Sequence, residues 1–265
     1  MVMKLIASDL DGTLLRHGSQ EISQEMFHLI RAFHAQGVRF CAASGRQYHS
    51  LRDLFAPVAD QVLFLCENGG IVFDRGEILA KTPIPRQTAL AISHAILDHP
   101  ACEVLISGAS TSYLMPKNPA YYSHIRYFLG NHVTLVHCPE DITEDILKVS
   151  AYCPDGAAAY DRLLGDPWRG QLQVAVAGEV WLDFTQASKA VGLHAISQRL
   201  HIPAEEMVSF GDNFNDLTML RYTGQSYAMD TAALPVQQAA GQLCHRVEDT
   251  LTALYQAKFG PLPPL

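Results

Sequence analysis

No Cys-x-x-Cys pair occurs among the six cysteines (Cys41, Cys66, Cys102, Cys138, Cys153, Cys244), and the twelve histidines form no His-Glu-x-x-His or comparable pattern. A zinc site and a disulfide framework are therefore poor readings; scattered thiols in a chain of 265 residues suit a reduced, cytoplasmic protein. His132, His137 and Cys138 crowd together, but no partner spacing supports them as ligands. Apolar runs fall short of a bilayer's span, so no membrane insertion is expected. Positive charge is scarce: 19 Lys and Arg against 27 Asp and Glu leave a formal charge of -8. That balance argues against nucleic acid or an anionic membrane as the main partner. No internal repeat or low-complexity tract is visible, and only the tail Gly260-Pro261-Leu262-Pro263-Pro264 reads as disordered. Met1-Val2-Met3-Lys4 leads straight into an apolar run, which sets the expectation of no signal peptide.

What is present is an ordinary globular composition, 48% hydrophobic and 17% charged, enough for one large domain or two smaller ones. Strand-like and helix-like periods alternate through residues 1–81. Ser23 can cap a helix whose Met26, Phe27, Ile30 and Phe33 share a face, and Gly37 can end it. Val62-Leu63-Phe64-Leu65-Cys66 is a continuous apolar run, as expected of a strand covered on both faces. Residues 71–81 read as a hairpin turning at Asp74-Arg75-Gly76. Across 82–183 short strands follow one another through tight turns, which implies an antiparallel sheet carrying helices. From 184 to 265 the strand–helix rhythm returns, with a helix over 189–200 and strands near 207–210 and 226–229. The expected fold is α/β: a doubly wound parallel-sheet core from 1–81 and 184–265, with 82–183 inserted as a second α/β domain on an antiparallel sheet.

Polar clusters fall directly after apolar strands. Asp9-Leu10-Asp11-Gly12-Thr13 ends the run Met3-Lys4-Leu5-Ile6-Ala7, Ser44-Gly45-Arg46 ends the next, and Gly211-Asp212-Asn213 follows Met207-Val208-Ser209-Phe210. Alternation along a strand points Asp9 and Asp11 the same way. Two like charges there are costly to bury unless a cation or a reaction needs them. An ordinary Asp-Gly turn is the bland alternative for the first cluster alone. Three clusters at the carboxyl ends of parallel strands can meet in one crevice, and that agreement favours function. Lys189 at a helix start opposes the helix dipole, which favours an anion-binding role over a structural one. Asp216 as a helix cap, Arg46 as a surface pair, and Glu67-Asn68-Gly69-Gly70 as a plain turn are the structural alternatives; for Glu67 and Asn68 the plain turn is preferred.

These residues, taken with Lys189 and Gly211-Asp212-Asn213-Phe214-Asn215-Asp216, resemble the haloacid dehalogenase superfamily, and within it the Cof-type sugar-phosphate phosphatases with a class IIB cap. The resemblance covers nearly the whole chain. It implies that 82–183 is the cap and that Asp9 is a nucleophile forming an aspartyl-phosphate. Asp11 would be the acid that protonates the leaving oxygen and then the base that activates water. It implies Mg²⁺ held by Asp9, the Asp11 carbonyl and Asp212, with Asp216 in support. Phosphate contacts would come from Leu10, Ser44, Gly45, Lys189 and Asn215, and a phosphorylated substrate would be drawn by these local groups rather than the overall field. Thr13, Arg46, Asn213, Tyr122, His124 and Arg126 are candidate supporting or substrate contacts. For Tyr122, His124 and Arg126, core aromatics plus solvated charge is the more economical reading. Trp168 and Trp181 read as core. Where the group often shows Gly-Asn and a later Gly, this chain has Asp230-Thr231 and Val247-Glu248-Asp249-Thr250. The expected activity is metal-dependent hydrolysis of a small phosphorylated metabolite. A hexose phosphomutase or a non-catalytic phosphate-ligand protein are the alternatives, and a monomer or a dimer would fit either.

Overall fold

A computed structural model describes residues 2–16 and 18–264; Met1, the first residue of the leader reading, lies outside the described residues, as do His17 and Leu265. In chain order the first elements are β1 (Leu5–Ser8), α1 (Gln24–Ala35), β2 (Arg39–Ala43), α2 (Tyr48–Leu54), β3 (Val62–Cys66), β4 (Ile71–Asp74) and β5 (Glu77–Lys81). There follow α3 (Arg86–Leu97), β6 (Glu103–Ser107), β7 (Ser112–Leu114), α4 (Pro119–Ser123), β8 (Val133–Leu135), β9 (Lys148–Tyr152), β10 (Gln173–Ala177) and β11 (Trp181–Thr185). The chain closes with α5 (Lys189–Leu200), β12 (Met207–Gly211), α6 (Leu217–Tyr222), β13 (Gln225–Met229), α7 (Leu234–Ala239), β14 (Gln242–Cys244) and α8 (Val247–Phe259).

Two compact units result: Met1–Ala80 with Ser188–Leu265, and Lys81–Ala187. Strand β11 runs to Thr185, so the inserted unit continues past the Asp183 limit read from sequence.

In the first unit the sheet order is β14-β13-β12-β1-β2-β3-β4-β5. Pairings from β14 through β3 are parallel, and β4 turns back antiparallel on β3. Strand β3 is buried along its whole length, as its unbroken apolar run requires. Ser23 caps α1 by accepting the Met26 N–H at 3.1 Å, and Met26, Phe27, Ile30 and Phe33 are buried beneath it. Side chains of β1, β2, β3 and α5 interlock: Leu5, Ala7, Cys41, Leu63, Leu65, Leu193 and Ile196 form one core cluster.

In the second unit the order is β10-β11-β9-β6-β7-β8. All pairings are antiparallel except β7 with β8, which is parallel, so the expectation of a purely antiparallel sheet is corrected at that edge. The helix read over residues 121–129 is also different: a short α4 gives way to one wider π turn over His124–Phe128. Residues 157–164 likewise form a 3₁₀ turn and a π turn rather than an α-helix. Trp168 and Trp181 pack against the unit's two apolar clusters, as expected of core tryptophans. No helix among the described residues is long and apolar enough to cross a membrane.

Candidate active site

Four segments at the carboxyl ends of β1, β2, β3 and β12 meet the start of α5. The junction is set by backbone bonds: Asp9 N–H donates to Phe210 O at 3.0 Å, and Ser44 N–H donates to Leu65 O at 2.9 Å. The chain after Asp9 turns at once, with the Leu10 carbonyl accepting from Thr13 (3.1 Å), Leu14 (2.9 Å) and Leu15 (2.7 Å). Gly12 sits at φ +95, and a Cβ there would stand 2.2 Å from Asp212 Oδ2. Only glycine lets this turn approach the Asp212 loop so closely.

Lys189 is the centre of the cluster. Its ammonium is fully buried and donates to Asp9 Oδ1 at 2.5 Å and Asp216 Oδ1 at 2.6 Å. Ser188 caps its helix by accepting the Val191 N–H. A buried cation needs paired anions, and here the helix dipole that opposes Lys189 is overridden by two carboxylates. Asp216 Oδ2 accepts the backbone N–H of both Asp212 and Asn213 at 3.0 Å each, so both its oxygens are engaged. Asp212 Oδ1 accepts the Thr13 hydroxyl at 2.8 Å. Asn213 uses its side chain as a local cap, accepting from Phe214 N–H at 2.8 Å.

Asp9, Asp212 and Asp216 each place a carboxylate oxygen within 4.8 Å of the others. Three carboxylates against one ammonium leave two negative charges in a buried place. Burial, with Asp216 and Asp212 adding to it against the opposing pull of Lys189, raises the Asp9 carboxyl to about 8. Burial likewise raises Asp212, and Lys189 is held well above its ordinary value because its two carboxylates outweigh desolvation. A divalent cation would restore neutrality. The donors are all oxygen, and Asp9 Oδ2 and Asp212 Oδ2 are the carboxylate atoms that the hydrogen bonds described above leave open, so the set fits a hard ion such as Mg²⁺. With its oxygens engaged, Asp216 fits as support for Lys189 and the 212–213 loop rather than as a direct ligand.

Asp11 stands apart from this buried group. Its side chain is 56% exposed and is gripped by the Arg46 fork, Nε to Oδ2 at 2.9 Å and a terminal nitrogen to Oδ1 at 2.5 Å. Arg46 thus pairs with an acid, as its structural alternative held, and that acid is the candidate site residue Asp11. Ser44 Oγ accepts the Arg46 N–H at 3.2 Å, which leaves its O–H to donate. Asn215 lies exposed on the turn Phe214–Asp216 and donates to Asn68 Oδ1 at 3.1 Å. Asn68 was read as turn-forming; its contact with Asn215 had no signal beyond an Asn-Gly pair after a strand.

Tyr122, His124 and Arg126 belong to the inserted unit, on α4 and the π turn after it. Tyr122 meets Tyr127 edge-on (6.3 Å between centroids), His124 stacks on Phe128 (5.1 Å), and Arg126 donates to Asn131 O at 3.1 Å.

A profile of the haloacid dehalogenase-like hydrolases matches residues 6–250, and the chain belongs to that family. Its relatives are phosphatases by name. It is 28% identical to the 5-amino-6-(5-phospho-D-ribitylamino)uracil phosphatase YbjI of Escherichia coli over 243 residues, covering 91% of this chain and 90% of that one. It is 28% identical to the phosphatase of the same name, YitU, of Bacillus subtilis over 257 residues, 90% of each. A crystal structure from Eubacterium rectale at 28% identity superposes with a TM-score of 0.87 over 95% of this chain and 99% of that one. The HAD subclass IIB sugar phosphatase BT4131, at 22% identity, shares the fold, with a TM-score of 0.78 over 97% of this chain and 99% of that one. The chain is therefore an enzyme of the HAD phosphatase type.

Proposed function

We propose that the protein is a Mg²⁺-dependent phosphatase that hydrolyses small phosphorylated metabolites, sugar phosphates foremost, through a phosphoryl group carried on Asp9. The observation that carries this reading is the buried ammonium of Lys189 between Asp9 and Asp216, with Asp212 alongside. Lys189 holds the Asp9 carboxylate at Oδ1, and one Asp9 oxygen attacks phosphorus in line while the other faces the cation. Two like unit charges 4 Å apart at an effective dielectric of 20 repel by about 4 kcal/mol, so the attack needs local cations. Asp9, Asp212 and the Asp11 carbonyl would hold Mg²⁺, which would supply charge neutralisation at the phosphoryl group. The Ser44 hydroxyl, the backbone N–H groups of Leu10 and Gly45, the Lys189 ammonium and the Asn215 amide bind those oxygens and stabilise developing charge. Asp11, released from Arg46, protonates the leaving oxygen and then takes a proton from the attacking water. The inserted unit acts as the cap that selects the substrate, with a phosphorylated small molecule as the partner rather than nucleic acid or membrane. Six free thiols suit a reducing cytoplasmic setting.

Phosphate release from a panel of phosphorylated metabolites, the ribitylamino-uracil phosphate of the two relatives included, tests this with and without EDTA. Metal-dependent release is expected. Migration of phosphate on a sugar bisphosphate without release would make the protein a mutase, and no metal-dependent reaction on any member would end the reading.

A further inference from the structure

We propose that Asn68 is a positioning residue for Asn215, and that the turn carrying it spaces the segments that grip phosphate; this rests on Asn215 being a phosphate contact. Glu67, Asn68 and Gly69 are successively left-handed, at φ 51, 54 and 99. Two non-glycine residues in a row in that region are strained, and such strain persists only where the surroundings over-determine it. Asparagine tolerates the conformation better than most residues because its short amide can bond locally.

The surroundings do over-determine it, on three sides. The Glu67 and Asn68 N–H groups donate to the carbonyls of Arg46 (3.2 Å) and Ser44 (3.0 Å), which zips the turn onto the Ser44-Gly45-Arg46 loop. Gly69 faces the first turn of α5: a Cβ there would lie 2.1 Å from the Ser188 carbonyl oxygen, next to Lys189. The Asn68 side chain reaches the third segment, its Oδ1 accepting from Asn215 Nδ2 at 3.1 Å across 147 residues of sequence. Among the described residues that is the one hydrogen bond of the Asn215 side chain.

The chemical consequence follows from the amide's inventory. Asn215 has two N–H donors in one plane. With one held by Asn68, the plane is set and the second N–H is aimed before ligand arrives. An exposed amide on a short turn would otherwise sample several rotamers, and ordering it would be charged against each binding event. Asn68 does this without touching the substrate.

Asn68→Gly separates the two roles, because glycine accepts the left-handed backbone and removes only the amide. The variant is expected to keep the wild-type far-UV spectrum while inorganic phosphate, titrated calorimetrically with Mg²⁺ present, binds about tenfold more weakly, and KM rises more than kcat falls. In an Asn215→Ala background the same change is expected to do nothing further. Phosphate affinity within twofold of wild type, or an equal loss in both backgrounds, overturns the proposal. In the wild-type protein, ¹⁵N relaxation is expected to show the Asn215 side-chain amide held as rigidly as the backbone around it. A freely rotating Asn215 amide would overturn the proposal even if the glycine variant failed to fold. A wild-type protein that neither turns over nor binds phosphate overturns both this inference and the function it rests on, whereas wild-type turnover with an unaffected glycine variant removes this inference alone.

Discussion

The two units each bury a sheet, but they place their polar groups differently. In the first, β1, β3 and β12 are buried from end to end, so no charge can sit within them and the polar side chains collect where the strands stop: Asp9, Glu67 and Asp212. In the inserted unit the strands are mostly antiparallel and one sheet face carries polar groups along its length. Ser150 donates to Asp183 Oδ1 at 2.6 Å, and Lys148 lies 3.9 Å from the same carboxylate. Apolar side chains are also left outside there, with Tyr127 74% and Phe128 80% exposed. Where a fold confines charge to strand ends, a sequence shows its chemistry in short clusters. Where charge is spread along strands, spacing says little about which side chains a ligand would meet.

The contrast breaks first if the strand-end charges prove dispensable. Asp9→Asn is expected to lower phosphatase turnover by about a thousandfold or more while circular dichroism and Tm stay near wild type. Turnover that survives would remove Asp9 as nucleophile. Lys189→Met should be the most damaging change to stability, because it strands Asp9 and Asp216 without their buried cation. A loss of about 3–5 kcal/mol in a urea titration is expected, and under about 1 kcal/mol would mean that the ammonium does not hold the cluster together.

The charge balance also sets a pH dependence. Burial pushes the Asp9 carboxyl up to about 8 in the folded, metal-free protein, far above the ordinary carboxylate range. A carboxyl raised on folding holds a proton that the unfolded chain has already released, so its contribution to stability is full below the unfolded value and is lost as pH climbs toward 8. Metal-free protein should therefore denature more readily at pH 8 than at pH 5. Mg²⁺ must displace that proton, so its affinity should rise with pH up to about 8 and level off above it, which calorimetry can follow. A pH-independent affinity would contradict the buried cluster's net charge. The smallest effect belongs to the inserted unit: Arg126→Ala, which removes one bond to the Asn131 carbonyl, should shift Tm by less than about 2 °C. A larger drop would mean that this surface is as constrained as the strand ends.

The same contrast explains what could be read in advance. The strand Val62–Cys66 and the helix Lys189–Leu200 were legible to the residue, the strand from its unbroken apolar run; the structure adds that Ser188 caps the helix and a left-handed His201 ends it. Strand β14 was missed because Gln242-Leu243-Cys244 is three residues with only the last buried, too short to show a period. The parallel edge β7–β8 was missed because pairing direction depends on the path of the intervening α4 and π turn, which local propensity does not contain. In the site, Asp9, Asp11, Ser44, Lys189 and Asp212 stood out as polar residues at abrupt strand or helix ends. Asn68 did not, since its partner Asn215 is remote in sequence and the bond between them exists only after folding.

Sequence alone determined the strand-end clusters, the alternation of strands and helices, and the residue types able to handle phosphate, because these follow from local hydrophobic period and turn chemistry. Only the tertiary structure decided that Lys189 lies between Asp9 and Asp216, that Arg46 grips Asp11, and that Gly12 must stay small beside Asp212. Such pairings need atoms that are far apart along the chain to come within a few ångströms, and the energy of burying charge is settled at that distance.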